Sequence, residues 1–191
     1  MSIPPKLKRT QQRHFAPHHI LLYAATKAYE RAKTPKVPGR DLEILVTLTM
    51  SALAVEALAN SIGQLVVTDW DDIEPAPPVT KLRVLAQTLG VTFSKTDDPW
   101  KTVLWLLKFR NRVAQAKPEL LEVTTFVTQQ EHDTNQFDYP RSKLERDLTL
   151  GNARSAVESV DDLLELLVGR VESDDRFSLL LDGWTTSLDQ R

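Results

Sequence analysis

The chain predicts an all-α fold: an antiparallel helical bundle of four to five main helices. Two observations carry this. Apolar residues recur at three- and four-residue spacing in several segments joined by short connections, and residues 44–67 are apolar nearly all round, as a helix at the centre of a bundle should be. A chain of 191 residues, 41% hydrophobic and 26% charged, has the composition of an ordinary soluble domain and the length to bury a sizeable core.

Residues 1–16 read as an irregular basic arm, with Pro4-Pro5 discouraging helix. A first helix is expected from Pro17 to Lys33, with Ile20, Leu21, Tyr23, Ala24 and Ala28 facing inward. TPKVPG (34–39) is a linker. A long second helix follows from about Arg40 to Val67, and the acidic, proline-rich 69–78 reads as a loop. A shorter helix from Val79 to Leu89 ends at Gly90, which suits a C-terminal cap. The fourth helix starts with Asp98 as N-cap and Pro99 at its first position. It carries Trp100, Val103, Leu104, Leu107 and Ala114 inward and ends near Lys117, before Pro118.

The β-branched segment LLEVTTFVT predicts a short strand or hairpin within residues 120–138. A last long helix is expected from Ser142 to Glu172, its inward stripe including Leu144, Leu148, Val157, Val160, Leu164, Leu167 and Val171. The bundle thus spans 17–172. Residues 173–191 form a tail, with Phe177, Leu179, Leu180, Leu181 and Trp184, too apolar to leave in water. It is expected to dock on the body or on a second subunit.

Several function classes fall away. No cysteine is present, which excludes disulfides, thiol catalysis and cysteine-ligated zinc and fits a cytoplasmic location. MSIPPKLKRT lacks the apolar centre of a secretory signal. Residues 44–67 are long enough to cross a bilayer, but Glu56, Asn60 and Gln64 interrupt them, so a buried soluble helix is expected and no membrane partner. The six glycines form no phosphate-binding loop. His18 and His19, adjacent at a helix start, are expected to point in different directions, and no metal or cofactor is implied. The four tryptophans read as core or interface anchors.

Charge is uneven. Residues 1–40 hold nine Lys/Arg and one acid, a balance of +8, while the rest of the chain carries 15 basic and 25 acidic residues. Such an arm could bind a phosphate backbone, act as a solubilising tail, or pack on the acidic body of a neighbouring subunit.

The segment FRNRVAQAKPE (109–119) concentrates the chemistry. Arg110 and Asn111 end an apolar helical run, and Gln115, Lys117 and Pro118 follow. On the second helix, AVEALAN places Glu56, Ala57 and Asn60; Ala52, Ala59 and Gly63 permit close helix approach. Together these two helices resemble the HEPN superfamily. Its members often show Glu-Ala-x-x-Asn on a long second helix and Arg-Asn-x-x-x-His, followed by a small residue, Lys and Pro, on a later one. The resemblance covers roughly residues 17–172. It implies a homodimer with two motif copies facing across a two-fold axis and, in active members, metal-independent endoribonuclease chemistry on the RNA 2′-hydroxyl and scissile phosphate. It also implies a setting in a bacterial toxin–antitoxin or phage-defence system, with an antitoxin or other protein as partner.

Position 115 departs from that pattern. Histidine can lose and regain a proton near neutral pH; glutamine can only donate and accept hydrogen bonds. Arginine can still grip phosphate oxygens and asparagine can still orient a partner. No catalytic residue is therefore assigned with Arg110, Asn111 and Gln115 as the candidates. Three readings stay open. Arg110 bridges to Glu56 within its own bundle while Asn60 bonds Asn111; or Arg110, Asn111, Gln115 and Lys117 bind RNA without efficient cleavage, with Glu56 and Asn60 in support; or the site is a nuclease with an unusual base. A generic helical interaction domain is the remaining option.

Overall fold

The computed structural model describes residues 8–34, 38–134, 139–180 and 184–189. The all-α bundle is there. In chain order the elements are β1 (Lys8–Arg13), α1 (Pro17–Lys33), α2 (Arg40–Val66), α3 (Trp70–Ile73), α4 (Pro78–Thr88), α5 (Trp100–Ala114), α6 (Gln129–Thr134), α7 (Lys143–Asp147), α8 (Leu150–Val168), α9 (Ser173–Leu180) and β2 (Trp184–Asp189).

Helix α2 is the hub, packing against α1, α4, α5 and α8. Leu48, Ala52, Val55, Leu58, Ala59 and Ile62 are sealed from solvent along it. Each large aliphatic chain so buried stabilises the fold by about 1.5–3 kcal/mol. By length and apolarity α2 could span a bilayer, but half of its most apolar window is buried inside the bundle.

The first helix has the expected bounds, with Pro17 in its first turn and Arg31 and Lys33 in its last. Its buried face is not the expected one. His18, Ala25, Ala28 and Ala32 face inward, while Ile20 and Tyr23 are exposed and Leu21 and Ala24 only half-buried. Alanines let α1 lie close to α2, and the bulkier side chains are left on the outer flank.

The 69–78 stretch contains one helical turn, α3, where a loop is expected. Trp70 folds back over Gly63 of α2, in space that a Cβ would occupy. Gly63 thus admits an indole ring rather than a neighbouring helix. Gly90 ends the α4 region at φ +64°, a backbone geometry that glycine tolerates. Helix α5 starts one residue later than expected. Pro99 is its N-cap, and Asp98 instead accepts hydrogen bonds from the Thr102 amide (3.1 Å) and hydroxyl (2.7 Å). Val103, Leu106, Leu107 and Phe109 are buried; Ala114 is exposed.

The expected single helix over 142–172 is two. Ser142 and Glu145 form a reciprocal cap at the start of α7. Thr149 then restarts the chain as α8 by accepting from the Asn152 amide at 3.1 Å. Side-chain caps of this kind compete with helix continuation, which explains the break. The stripe itself is present: Val157, Val160, Leu167 and Val171 are buried, and Leu144, Leu148 and Leu164 pack partly against the core.

The strand prediction fails in place. Residues 116–128 have no regular secondary structure, and 129–134 are helical; 135–138 lie outside the described residues. Among the described residues, 117–127 make no backbone hydrogen bond. Leu120 and Phe126 are almost wholly in solvent, at 96% and 103% exposure. The sheet forms from the two ends of the chain instead. The arm expected to be irregular is strand β1, paired antiparallel with β2 from Lys8–Asp189 to Arg13–Trp184. Among the described residues no third strand joins this two-stranded sheet. Between the strand and the body, α9 docks through the buried Leu179. Phe177 and Trp184 side chains, and all of Leu181, lie outside the described residues.

Candidate functional site

The Val103, Leu106/Leu107, Arg110 spacing carries Arg110 towards α2 from the end of the buried stripe of α5. There its Nη2 donates to Glu56 Oε2. A third helix completes the cluster. Lys81 lies on the inner stripe of α4 beside Leu82 and Leu85 and is only 3% exposed. Its Nζ donates to Asn60 Oδ1 at 2.9 Å and lies 3.9 Å from Glu56 Oε1. Glu56 therefore stands between two cations from two other helices, one residue turn from the asparagine that holds the second cation. Buried charges persist only when paired and hydrogen-bonded; the three charges here are paired, with Arg110 Nε left buried without a hydrogen-bond partner among the described residues.

The Arg110–Glu56 bridge is the one expected within a single bundle. The Asn60–Asn111 bond is not made: Asn60 takes Lys81, and Asn111 is exposed on the other flank of α5. Consecutive helical residues point about 100° apart, so Arg110 and Asn111 cannot both face α2.

Asn111 and Gln115 share the other flank, one turn apart. They line a groove of about 670 Å³ at the C-terminal end of α5, closed by residues 116–121 and the start of α7. Gln115 is the C-cap of α5, its amide donating to Asn111 O at 3.0 Å. Lys108, Arg112, Lys117 and Lys143 also line the groove, against a single acid, Glu119. Arg112 is held by Asp147 of α7 at 2.5 Å. On the same helix, hydrogen bonds from the Ser142 amide and then its hydroxyl hold the Glu145 carboxyl below its ordinary range. With Arg112 neutralised by Asp147, Lys108, Lys117 and Lys143 against Glu119 leave the concavity net positive.

The six sequence-selected residues are thus divided. Glu56, Asn60 and Arg110 form a polar cluster between helices; Asn111, Gln115 and Lys117 line the basic groove. Glu56 and Asn60 also border a second groove of about 550 Å³, between α2 and residues 14–21. Lys81, Lys108 and Lys143 were not singled out from sequence. The spacing of Lys81 with Leu82 and Leu85 is the one signal that could have marked the first; the other two look like ordinary surface lysines.

His18 and His19 correct another expectation. Their rings do not diverge but lie 4.3 Å apart, and both bond the Leu179 carbonyl, at 3.1 and 2.8 Å. In the first helical turn both side chains can fold over the docked α9. Among the described residues no group of three metal-ligating side chains stands together. Trp70 and Trp100 are buried and Trp105 half-buried. No family model matches the chain, and no curated protein or solved structure is significantly similar to it.

Proposed function

We propose that this chain is a HEPN-like module, working as two copies, that binds single-stranded RNA in the groove at the end of α5 and does not cleave it efficiently. One observation carries the reading. Arg110 is committed to Glu56, while Asn111, Gln115, Lys117, Lys108 and Lys143 are left around an accessible cationic concavity. Phosphates are held by such cations, with asparagine and glutamine amides able to bond sugar hydroxyls or base edges. Cleavage would need a group at position 115 that titrates near neutral pH, and glutamine does not.

Fluorescence anisotropy of a labelled single-stranded RNA, read across a salt series with chelator present, tests this. The Lys108→Ala/Lys117→Ala/Lys143→Ala variant should bind more weakly. Its log–log salt slope should be shallower by about 2, at roughly 0.7 per lost phosphate contact. Binding indifferent to the three substitutions sinks the groove. Cutting of the RNA by the unaltered protein in chelator, abolished by Arg110→Ala, replaces this reading with that of an active endoribonuclease.

A further inference from the structure

The segment 119–127 and the strand β1 are complementary in three respects. The first is backbone. Among the described residues, 117–127 form no backbone–backbone hydrogen bond, and no strand other than β2 lies beside β1. Unpaired strand edges are templates for another extended segment. The second is residue type. Val123, Thr124, Thr125, Phe126 and Val127 all favour strands, yet among the described residues no strand of their own chain pairs with them; Thr128 is already held at the start of α6 by Glu131 and His132. The third is charge. Between Lys117 and Arg141 there is no Lys or Arg, while Glu119 and Glu122 are present; β1 carries Lys8, Arg9 and Arg13 and no acid.

We propose that residues 119–127 of one copy add as a third strand to the free edge of β1 in a second copy, and that the exchange is reciprocal. The apolar side chains of the segment, above all Phe126, then leave water against the partner's sheet. Reciprocity closes the assembly at two copies, since each chain offers one such edge of β1 and one such segment. This is strand addition, in which main-chain bonds give affinity and side chains set the partner. The inference rests on the two-copy unit proposed above but not on RNA binding.

The test is a charge exchange read by sedimentation equilibrium, with circular dichroism to confirm that each variant is folded. One variant is Lys8→Glu/Arg9→Glu and the other Glu119→Lys/Glu122→Lys. The unaltered protein should be a dimer. Each variant alone should associate roughly tenfold or more weakly, because like charges then face each other across the new pairing. An equimolar mixture should regain the dimer, since each acidic edge meets a basic segment and each basic edge an acidic one. Thr125→Pro, at an exposed position with no backbone bond to lose within its own chain, should also weaken association. A dimer whose stability is indifferent to both reversals overturns the strand exchange and leaves the two-copy unit standing. A monomeric unaltered protein overturns both. Variants that dissociate but do not reassociate on mixing overturn the reciprocal pairing.

Discussion

Replacing Glu56 with glutamine removes the one carboxylate that faces both Arg110 and Lys81. The fold is changed little in shape, because the two side chains are nearly isosteric, so the experiment reads charge. Removing one partner of a fully buried pair costs about 3–5 kcal/mol. The three differ in side-chain exposure: the Lys81 side chain is 4% exposed (3% for the whole residue), Arg110 25% and Glu56 29%. Solvent reaches the Arg110 half of the cluster and screens it, so that half contributes no more than about 1 kcal/mol. The Lys81 half is sealed, but its Nζ keeps the 2.9 Å bond to Asn60. The expected loss is therefore about 2–3 kcal/mol. Equilibrium unfolding in urea, followed by the emission of the buried Trp70 and Trp100, measures it. Adding Lys81→Met should recover part of the loss, with a coupling of about 1 kcal/mol or more, because the cation left without its carboxylate is removed. A Glu56→Gln change within about 0.5 kcal/mol of the unaltered protein, the range of ordinary surface substitutions, would falsify the cluster as a structural unit.

Three other outcomes follow from particular contacts. Gly63→Ala drives a methyl into the Trp70 ring and should cost about 1–3 kcal/mol in the same urea assay, with a change in tryptophan emission; an unaltered midpoint contradicts the packing of α3. Although Asp161 is exposed, the protein crowding one side of its carboxyl, then the neighbouring Asp162 and Glu165, raises it above its ordinary value of 3.8. An acid so raised favours folding most below that unfolded value and loses its contribution as pH rises through the folded one. Asp161→Asn should thus raise the thermal midpoint at pH 7 and converge with the unaltered protein below about pH 4; a gain only in acid reverses the sign and refutes it. Gln115→His supplies a titratable ring but leaves Arg110 on Glu56, so it should not cut RNA in chelator; efficient cutting would show that Arg110 is free to leave the bridge.

How much of this could be read beforehand depended on the range of the signal. Pro17 and the proline-rich linker marked both ends of α1, and the uninterrupted apolarity of α2 marked the hub. Glu56 and Arg110 were legible as partners because Glu56 is the one charge within the apolar run 44–67 and Arg110 follows the apolar stripe of α5. The buried face of α1 was not, because side-chain size favoured Ile20 and Tyr23, while close packing selected the alanines. Lys81 was missed because a lysine in a short helix ordinarily reaches solvent, and only the position of α4 against α2 denies it that path. KRTQQR and WTTSLD carry no alternation of apolar residues, so nothing local announced β1 and β2. LLEVTTFVT carried the strand signal and formed no strand within the chain. Propensity describes a fit to neighbouring strands, and this segment has none beside it.

The pairing of β1 with β2 also fixes an order of events. Gln11 and Thr186, which bond across the strands, lie 175 positions apart in the chain. Closing so long a loop in an unfolded chain costs about 4–5 kcal/mol in entropy before any compensating contact forms. Helices α1 and α2, by contrast, are neighbours in sequence and meet across a short linker, so they can associate early. The clasp between the ends therefore closes after the bundle has brought them together, and it opens first. In native-state hydrogen exchange its amides should form a weakly protected unit that unfastens while α2 remains shut. Each such opening frees the basic strand while Leu179 keeps α9 seated on the core and on His18 and His19, so the arm alternates between fastened and extended without exposing the core.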